Sequence, residues 1–490
     1  MSLLQSYSVI KQTLGSYALA LSRLSQKNKS IAIRTAVILT LAYVLQERIL
    51  KPPKRLRHLP YVNYFQFLKF VFNKQSTFDY AQKNILPIIN QKDSDGVYMR
   101  PGNQGWDIMI ANPDYAKQVL FKHDMFPKMD LLKGVEGTLL YKFSGGPNIF
   151  IANGHDWRAQ RTVVSPAFHR SMPIRMFGEL AISLFKTMDR MSETIEVTGL
   201  IRRYTLDAIG KAGFGFDFNA TVDPKSKWVE IYDSINDGLQ DPLFFMFPSF
   251  DHQWLWLFPK RKAIHDKLDI FLKMMDNVIT TKRKDIRQGK VTNDNLEEHE
   301  KDILTLMIEA EERGEGILTD TDLKSNLCFF FLAGHDTTLN ALSLAIYYLA
   351  IHPEIQQRAR EEAMHILGKE PVDIAPTLEQ TKEMTFINQI IKETLRIHPT
   401  APQVVPRITQ QDSVFGDKFI PKGSRVSVDI YCMHHYNKVW PDAETFNPDR
   451  FSGNEHTQHG ISWLSFSSGA RQCLGMNFSL AEQRVVLSML

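Results

Sequence analysis

Of the cysteines in this 490-residue sequence, only Cys473 lies among residues that suit chemistry. It ends the run FSSGARQC, which begins at Phe466, and Leu474 and Gly475 follow it. A cysteine that holds iron as a thiolate needs a lowered pKa, hydrogen bonds to its sulfur and space for a flat ligand. Glycines and a nearby cation supply these conditions, so the segment predicts an iron-ligating thiolate at Cys473.

The neighbours of Cys473 indicate how this site would work. Gly469 and Gly475 are expected to turn with positive φ and to let the backbone approach the ligand closely. Arg471 places a cation where it would favour the thiolate and pair with an anionic group of the ligand. The apolar run after Gly475 predicts a helix whose positive N-terminal end faces the sulfur. The alternative is an ordinary buried cysteine, but so many fixed positions around it are improbable by chance.

A second candidate site lies in the run AGHDTT, which begins at Ala333 in the middle of a long apolar stretch. Asp336 and Thr337 would destabilise a buried helix there unless they were hydrogen-bonded. A carboxylate next to a hydroxyl can instead pass protons to a reactive centre, which is general acid–base work. The sequence favours this functional interpretation over a purely structural one.

Glu393 and Arg396 stand three residues apart, which places an acid and a base on one face of a predicted helix. A buried pair would need a third partner, and Arg450 in the segment FNPDRF is the expected one. Such a triad would be structural rather than catalytic. Three histidines also invite a metal-binding interpretation: His335, His434 and His435. They lack a further ligand at a suitable spacing, so ordinary core or surface roles are favoured.

The elements that must position these residues are mostly helices. The stretch 323–351 is apolar on all sides, which predicts a buried central helix that follows a cluster of capping residues. Polar and amphipathic helices are predicted over 354–367 and 384–397. The polar stretch 282–302 is expected to be a surface connection, and alternation over 413–431 predicts short strands. The predicted fold class is therefore mainly α with a small β portion.

Several segments, in their order along the chain, resemble cytochrome P450 monooxygenases of the fungal microsomal type. The pattern F-x-x-G-x-R-x-C-x-G around Cys473 is similar to that family's haem-binding loop, and AGHDTT matches its oxygen-activation segment. ETLR at Glu393 and FNPDRF at Phe446 are similar to the segments that form its charge triad. WRAQR at Trp157 resembles the helix that offers a Trp and an Arg to a haem propionate. LDAIGKAGFGFDFNA from Leu206 is similar to fungal microsomal members.

The resemblance implies a cytochrome P450-like fold and a haem b cofactor whose iron is ligated by Cys473. It implies that Asp336 and Thr337 deliver protons while one oxygen atom of O2 is inserted into a lipophilic substrate. Arg407, in the run VVPR, is the least specific of the implied propionate ligands. The residues implied to bind the haem are Trp157, Arg161, Arg407, Phe466, Arg471, Cys473 and Gly475.

Partners follow from what the sequence lacks. It contains no flavin or nicotinamide motif, so electrons are expected from a separate NADPH-dependent reductase of the cytochrome P450 reductase type. Arg158, Arg170 and Arg484 are candidates for its docking face. Two other interpretations stay open: an isomerase or peroxygenase on the same fold, and a non-enzymatic haem-binding membrane protein. The 58 basic and 54 acidic side chains are too nearly balanced for a nucleic-acid-binding protein.

The N-terminus predicts a membrane anchor. Twelve of the fifteen residues 31–45 are apolar, and Arg34 is the only charged one. No small-residue cleavage site follows, which favours a retained anchor over a cleaved signal peptide, with an amphipathic or buried helix as the alternative. We expect residues 1–58 to form the anchor and a basic, proline-containing linker. Residues 59–490 would then form a catalytic domain on the cytosolic face of the endoplasmic reticulum membrane.

Two features depart from the family pattern. Ala333 stands where some fatty-acid-hydroxylating relatives carry a glutamate that becomes esterified to the haem, so no such link is expected here. The sequence ends at Leu490, whereas relatives continue for some tens of residues through a hairpin that lines the substrate pocket. The substrate pocket is therefore expected to be incomplete in this sequence.

Overall fold

The structure is a computed structural model of the chain. It describes residues 26–91, 94–102, 105–146, 148–191, 194–289, 298–316, 318–370, 373–453 and 461–490. Helices dominate these residues, and the strands among them are few and short. The predicted fold class, mainly α with a small β portion, is confirmed. Residues 1–25 of the expected anchor lie outside the described residues.

The helices differ widely in length, and single turns of 3-10 or π-helix join several of them. Two of the single turns matter for the site, one over Pro448–Phe451 and one over Gly469–Arg471. In chain order the α-helices are α1 (Gln26–Leu45), α2 (Tyr64–Phe72), α3 (Thr77–Asn84), α4 (Leu86–Ile89), α5 (Pro113–Phe121), α6 (Leu139–Ser144), α7 (Gly154–Arg170), α8 (Ile174–Met188), α9 (Val197–Ile209), α10 (Lys227–Leu239), α11 (Pro242–Met246), α12 (Pro259–Arg287), α13 (Ile303–Glu312), α14 (Asp320–Ile351), α15 (Pro353–Leu367), α16 (Leu378–Glu383), α17 (Thr385–Ile397), α18 (Ile430–His434) and α19 (Met476–Met489).

Helix α14 is the long central helix that the sequence predicts. Thr319 accepts a hydrogen bond from the amide of Asp322, and the Asp322 carboxylate accepts one from the amide of Thr319. This capping box satisfies amides that have no partner inside the helix. The helix ends at Ile351, just before Pro353, which lacks the N–H that would continue it. Helices α15 and α17 match the next two predicted helices to within one residue.

Helix α12 extends into the stretch that was predicted as a surface connection. It continues to Arg287 because charged side chains near its end find partners on neighbouring helices. Lys282 Nζ lies 2.8 Å from Asp302 Oδ2, and Arg283 pairs with Glu311 on α13 at 2.9 Å. Residues 290–297 lie outside the described residues. The polarity of this stretch therefore belongs partly to a helix held by ion pairs.

Six short strands form two sheets in the described residues: β1 (Val97–Gly102), β2 (Gly105–Ile110), β3 (Arg407–Ile408), β4 (Ser413–Phe415), β5 (Lys418–Ile420) and β6 (Arg425–Val428). The larger sheet has the order β1-β2-β6-β3, in which β2 and β6 are parallel and the other pairs are antiparallel. Strands β4 and β5 form a separate hairpin. The predicted strands after Ser413 are confirmed.

The apolar side chains form two large clusters. One joins α7–α10, α12–α14, α17 and α19, and the other lies around the larger sheet with α3–α5 and α18. Helix α1 presents exposed apolar side chains such as Ile38 and Leu39. Among the described residues, no helix combines the length and the apolar character that crossing a bilayer requires.

Candidate functional site

The segment before α19 forms a tight loop around Cys473. Ser467 and Gly469 adopt left-handed φ values of +58° and +73°. The Cys473 amide donates a hydrogen bond to the Phe466 carbonyl over 3.0 Å, which closes the loop. A Cβ atom at Gly469 would lie 3.1 Å from the Leu120 carbonyl oxygen of α5. Glycine therefore allows both the turn and the close approach of α5 to the loop, and the predicted positive φ at Gly469 is confirmed.

Gly475 differs from the prediction. Its φ is −81°, and a Cβ atom there would meet only the Phe168 ring, at 3.8 Å. Gly475 is the N-terminal cap of α19, where backbone amides have no partner inside the helix. Its amide forms a hydrogen bond with the Cys473 sulfur instead. Gly475 thus acts through its N–H group, and the predicted helix with its N-terminus at the sulfur is confirmed.

The Cys473 thiol has a mixed environment. Cys328 and Cys432 are buried in the two cores, whereas Cys473 is exposed. Although Cys473 is exposed as a residue, the protein around its thiol disfavours the thiolate and raises the pKa of Cys473. The Gly475 amide and the charge of Arg161 lower that pKa but do not overcome desolvation. The prediction that Arg471 and the N-terminal end of the following helix lower the pKa of this thiol below its ordinary value is therefore wrong for the protein without its ligand. A bound metal ion deprotonates a thiol that coordinates it.

Arg471 is not among the groups that act on the Cys473 thiol, which it was predicted to stabilise. Its guanidinium stacks on the Trp157 ring, 3.8 Å from the centroid, and donates to the Ala152 carbonyl over 2.8 Å. Arg161, one turn after Trp157 on α7, is instead the cation whose charge acts on the Cys473 thiol. It donates to the Gln472 carbonyl over 3.2 Å. Stacking on Trp157 fixes Arg471 in a direction that the spacing of the loop motif does not reveal.

Four cations lie together beside the Cys473 loop: Lys128, Arg161, Arg407 and Arg471. Lys128 and Arg407 form a β-bridge, and Lys128 Nζ donates to the Phe150 carbonyl over 2.6 Å. Burial and then repulsion by the three arginines lower the pKa of Lys128 to about 7. Burial, reinforced by Arg407 and Arg161, lowers the pKa of Arg471 to about 9. These four residues are called the cation cluster below.

The cation cluster suits an anionic ligand. In the described part of the chain, none of its members forms an ion pair with a carboxylate, and Arg407 Nε and Arg471 Nη1 are buried without hydrogen-bond partners. Buried cations that repel one another are stabilised by an anion that accepts their hydrogen bonds. The two carboxylates of haem b are anions of this kind. The Cys473 thiol, which lies beside the cation cluster, would ligate the haem iron. The residues present therefore fit the cofactor that the sequence implies.

Lys128 is the site residue that the sequence analysis missed. No recognisable motif surrounds it, because it lies in the loop after α5, far along the chain from the other members of the cluster. The bridge to Arg407 and two hydrogen bonds between its backbone and the Asn153 side chain bring it into place. The residues that were predicted to bind haem carboxylates, Trp157, Arg161, Arg407 and Arg471, are brought together around it.

Asp336 and Thr337 lie in the middle of α14, where the sequence predicts them. Thr337 Oγ1 donates to the Ala333 carbonyl one turn earlier, over 2.6 Å. Burial raises the pKa of the Asp336 carboxyl, while a hydrogen bond from Asn236 on α10 and the charge of Arg202 on α9 oppose that rise. A carboxyl with a raised pKa can hold and release a proton closer to neutral pH. The pair thus has the chemistry that proton delivery needs.

The predicted charge triad is confirmed as a buried structural unit. Arg396 binds both carboxylate oxygens of Glu393, over 2.7 and 2.9 Å. It also donates to the carbonyls of His434 and Ala443, over 3.0 and 2.7 Å. Arg450 Nε lies 3.4 Å from Glu393 Oε1. Every charged group of the triad has an opposite charge or a carbonyl within reach, and the unit ties α17 to the chain before the Cys473 loop.

The histidines considered as metal ligands are buried and hydrogen-bonded. His434 accepts a hydrogen bond from the Leu464 amide over 2.9 Å, and His335 Nδ1 lies 2.9 Å from Thr205 Oγ1. His435 Nδ1 lies 2.8 Å from the Tyr431 carbonyl. Within the described ranges, no group of three or more His, Cys, Asp or Glu side chains could hold a metal ion. These contacts support the core roles that the sequence favours.

Comparisons with known proteins agree with this geometry. The family model for cytochrome P450 matches residues 88–490. Rat cytochrome P450 4A10 and human cytochrome P450 4F8 are each 29% identical, and each match covers 78% of this chain and 74% of the relative. Dog cytochrome P450 3A12 is 28% identical, with 78% and 75% covered. These relatives are mammalian, so the resemblance to fungal members stays a prediction.

The fold is also found among solved structures. The cytochrome P450DA haem domain superposes with a TM-score of 0.70 at 22% identity, over 90% of this chain and 91% of that one. This likeness supports the fold, and the family match covers the loop, the helix and the triad described above. The chain belongs to the cytochrome P450 family, and it is therefore an oxidoreductase of the monooxygenase class that uses haem b.

Proposed function

We propose that this protein is a microsomal haem-thiolate monooxygenase that inserts one oxygen atom of O2 into a lipophilic substrate. The observation that carries the proposal is the cation cluster, which has no carboxylate partner in the described residues and lies beside the accessible thiol of Cys473. When bound, haem supplies the iron centre at which oxygen is activated. The protein supplies the thiolate, the anion-binding groups and the protons.

In this proposal Cys473 Sγ ligates the iron. The amide of Gly475 and the charge of Arg161 favour the thiolate by lowering the pKa of this thiol. The Phe466 carbonyl holds the loop in shape by accepting the Cys473 amide. Cations that bind carboxylates through N–H groups also orient the ligand that carries them. The side chains that hold the haem carboxylates are Lys128, Trp157, Arg161, Arg407 and Arg471.

Asp336 and Thr337 deliver protons in this proposal. The Thr337 hydroxyl gives a proton toward the reacting oxygen, and the Asp336 carboxyl, with its raised pKa, restores it. The bond from Asn236 and the charge of Arg202 keep the Asp336 carboxyl directed toward α10 and α9. An isomerase on the same fold would not need this delivery, so the intact pair disfavours that alternative.

Electrons come from a separate NADPH-dependent reductase in this proposal, because the chain has no flavin or nicotinamide motif. Residues 1–58 associate with the endoplasmic reticulum membrane, and residues 59–490 form the cytosolic catalytic domain. The exposed apolar side chains of α1 support membrane association. Arg158 is 60% exposed and suits the docking face, whereas Arg484 is partly buried and donates to Asn388 over 3.2 Å.

The proposal is tested by Thr337→Ala in the reconstituted enzyme. We expect haem content and the carbonyl band of the reduced protein to stay unchanged, while most of the electrons from NADPH appear as peroxide or water instead of product. Ser343→Ala is the control, because it removes a different hydroxyl of α14, one that has no hydrogen-bond partner among the described residues. Unchanged coupling of NADPH consumption to product in Thr337→Ala would contradict the proton role. Turnover without NADPH or reductase would contradict the monooxygenase itself.

A further inference from the structure

A short connection between α6 and α7, residues 148–153, lies between α14 and the cation cluster and is called the strap below. Asn148 fixes its shape. The Asn148 side-chain oxygen accepts the amides of Phe150 and Ile151, over 3.1 and 3.2 Å, and its carbonyl accepts the Ala152 amide over 2.8 Å. An asparagine that bonds to the backbone beyond it closes a compact turn. The strap is therefore expected to move as one unit.

The strap supplies hydrogen-bond acceptors to two members of the cation cluster. Lys128 Nζ donates to the Phe150 carbonyl over 2.6 Å. Arg471 Nη2 donates to the Ala152 carbonyl over 2.8 Å and to Asn153 Oδ1 over 3.2 Å. The Asn153 side chain also forms bonds of 3.0 and 2.9 Å with the backbone of Lys128. The position of the strap therefore sets the direction of these two cations.

Helix α14 holds the strap through Asn326 and Phe329. Asn326 Oδ1 accepts the Ile149 amide over 2.9 Å, and Asn326 Nδ2 donates to Gln160 Oε1 of α7 over 3.1 Å. Asn326 is fully buried, so these bonds lie in a low-dielectric interior where hydrogen bonds are stronger. One turn later, the Phe329 ring stacks on the Phe150 ring, with centroids 4.2 Å apart and an interplanar angle of 19°. Two contacts therefore fasten the strap to α14.

The Phe150 ring joins α14 to the cation cluster. Lys128 Nζ lies 4.2 Å from the centroid of the ring that stacks on Phe329. A cation over an aromatic face is attracted by the ring, so a movement of the ring changes the energy of the cation. Phe329, Ala333 and Thr337 follow one another at intervals of four residues, which places them along one face of α14. Phe329 therefore lies on the face that carries the proposed proton donor.

We propose that the strap couples the substrate side of α14 to the cation cluster, with Asn326 and Phe329 as its positioning residues. A lipophilic molecule that packs against Phe329 shifts the Phe150 ring, and the strap passes this shift to Lys128 and Arg471. By thermodynamic linkage, these cations then bind the haem carboxylates with a different affinity when the molecule is present. The proposal rests on the proposed function, since it assumes that the haem carboxylates occupy the cation cluster.

The first test follows the haem propionate bending band in resonance Raman spectra of the holoenzyme, because that band reports hydrogen bonds to the carboxylates. Asn326→Leu removes the bond to the strap and should shift the band and speed haem loss by about fivefold, as expected for one hydrogen bond. Asn326→Asp keeps an acceptor for the Ile149 amide and should restore much of the wild-type band position. Ser325→Ala is the control, because its buried bonds go to the Ser144 and Gly146 carbonyls outside the strap, and it should leave the band unchanged.

The second test compares the holoenzyme with imidazole and with 4-phenylimidazole as probes, which offer the iron the same ring nitrogen and differ by one phenyl group. In the wild type, the phenyl group should shift the propionate band relative to imidazole, because it packs against α14. Phe329→Leu keeps an apolar side chain but loses the ring stack, so most of that difference should disappear while both probes still bind. Identical band positions for the two probes in the wild type would overturn the coupling.

Arg471→Leu separates failure of this proposal from failure of the proposed function. If Arg471→Leu shifts the propionate band and Asn326→Leu does not, the carboxylates lie at the cation cluster but the strap does not position them, and the proposal is overturned. If neither variant shifts the band, the placement of the haem carboxylates is wrong as well. If Asn326→Leu does not fold, the probe comparison with Phe329→Leu decides the outcome.

Discussion

Two arginine-rich regions of this protein differ in whether the chain supplies their anions. In the charge triad, Arg396 binds both oxygens of Glu393 and two backbone carbonyls, so its buried charge is satisfied. In the cation cluster, Arg407 and Arg471 contact carbonyls, a neighbouring side-chain amide and an aromatic ring among the described residues, and within that set each keeps a buried N–H without a hydrogen-bond partner. The triad contains its own carboxylate, which lies 3.4 Å from Arg450 Nε, whereas the cation cluster is expected to obtain its anion from a ligand.

The presence of a carboxylate partner therefore distinguishes the triad from the cation cluster without reference to any relative. Both regions are at least partly buried, with Arg396 and Arg407 almost fully enclosed, and both contain residues that a motif singles out. A buried cation with a matched carboxylate stabilises or specifies the fold. A set of buried cations that lower one another's pKa destabilises the protein until an anion binds. In the haem-free protein, removing an arginine should therefore lower the free energy of unfolding in the triad but should not lower it in the cation cluster.

The largest effect is expected in the triad. Arg396→Met leaves the buried Glu393 carboxylate with only Arg450 and the Asn447 amide beside one of its oxygens. Loss of the two-bond partner should lower the free energy of unfolding by about 3–5 kcal/mol or prevent folding. Arg358→Ala is the control, because it removes the exposed pair with Asp449 (2.9 Å) and should change that free energy by less than about 1 kcal/mol. Chemical denaturation of the holoenzyme measures both. Similar values for the two variants would show that the triad is not structural.

In the cation cluster, substitution of an arginine is expected to weaken haem binding without destabilising the haem-free protein. Arg471→Leu should raise the dissociation constant for haem by about 10- to 100-fold, the range that hydrogen bonds to charged groups contribute. The same variant should not destabilise the haem-free protein, because it removes a cation that its neighbours repel. Haem transfer to an apo-haem acceptor and thermal unfolding of the haem-free form measure the two quantities. Destabilisation of both forms alike would make Arg471 a structural residue.

Lys128 should make the free energy of unfolding of the haem-free protein depend on pH. Its pKa is 10.5 when unperturbed and about 7 in the folded protein, so between these values the unfolded chain holds more protons. The free energy of unfolding of the haem-free protein should therefore rise with pH above 7, by at most about 1.4 kcal/mol per unit. The destabilisation is fully present below pH 7. Lys128→Met should remove this slope, and bound haem should flatten it in the wild type, because carboxylates restore the lysine charge.

The smallest effect concerns the surface outside both regions. Arg158→Glu and Arg170→Glu should slow the first electron transfer from the reductase by less than about tenfold at low salt, since rim charges act mainly on association. The difference should shrink as salt rises. Stopped-flow reduction measured at several ionic strengths tests this, with Arg175→Glu on α8 as an exposed control. Equal, salt-independent rates in all variants would place the docking face elsewhere.

The sequence predicted best what depends on neighbours along the chain. Cys473, Gly469 and the following helix could be predicted because the loop, its left-handed turn and the helix N-terminus are local features. The central helix was predictable from its apolar run and its capping box. Asp336 and Thr337 could be recognised as candidates because polar side chains in an apolar helix are costly to bury unless they have partners or a function.

The rest depended on tertiary contacts. The loop motif contains Arg471, but only the stacking on Trp157 shows that Arg161 is the cation that acts on the sulfur. Lys128 joins the cluster through a bridge to a strand far along the chain.

The central claim is that Cys473 holds the iron while the cation cluster holds the haem carboxylates. The most direct measurement is the absorption band of the reduced carbon monoxide complex in single cysteine variants. Cys473→His should lose the red-shifted band of the thiolate complex even where haem is retained, while Cys328→Ala and Cys432→Ala, which alter buried cysteines, should keep it. Retention of that band in Cys473→His would contradict the account.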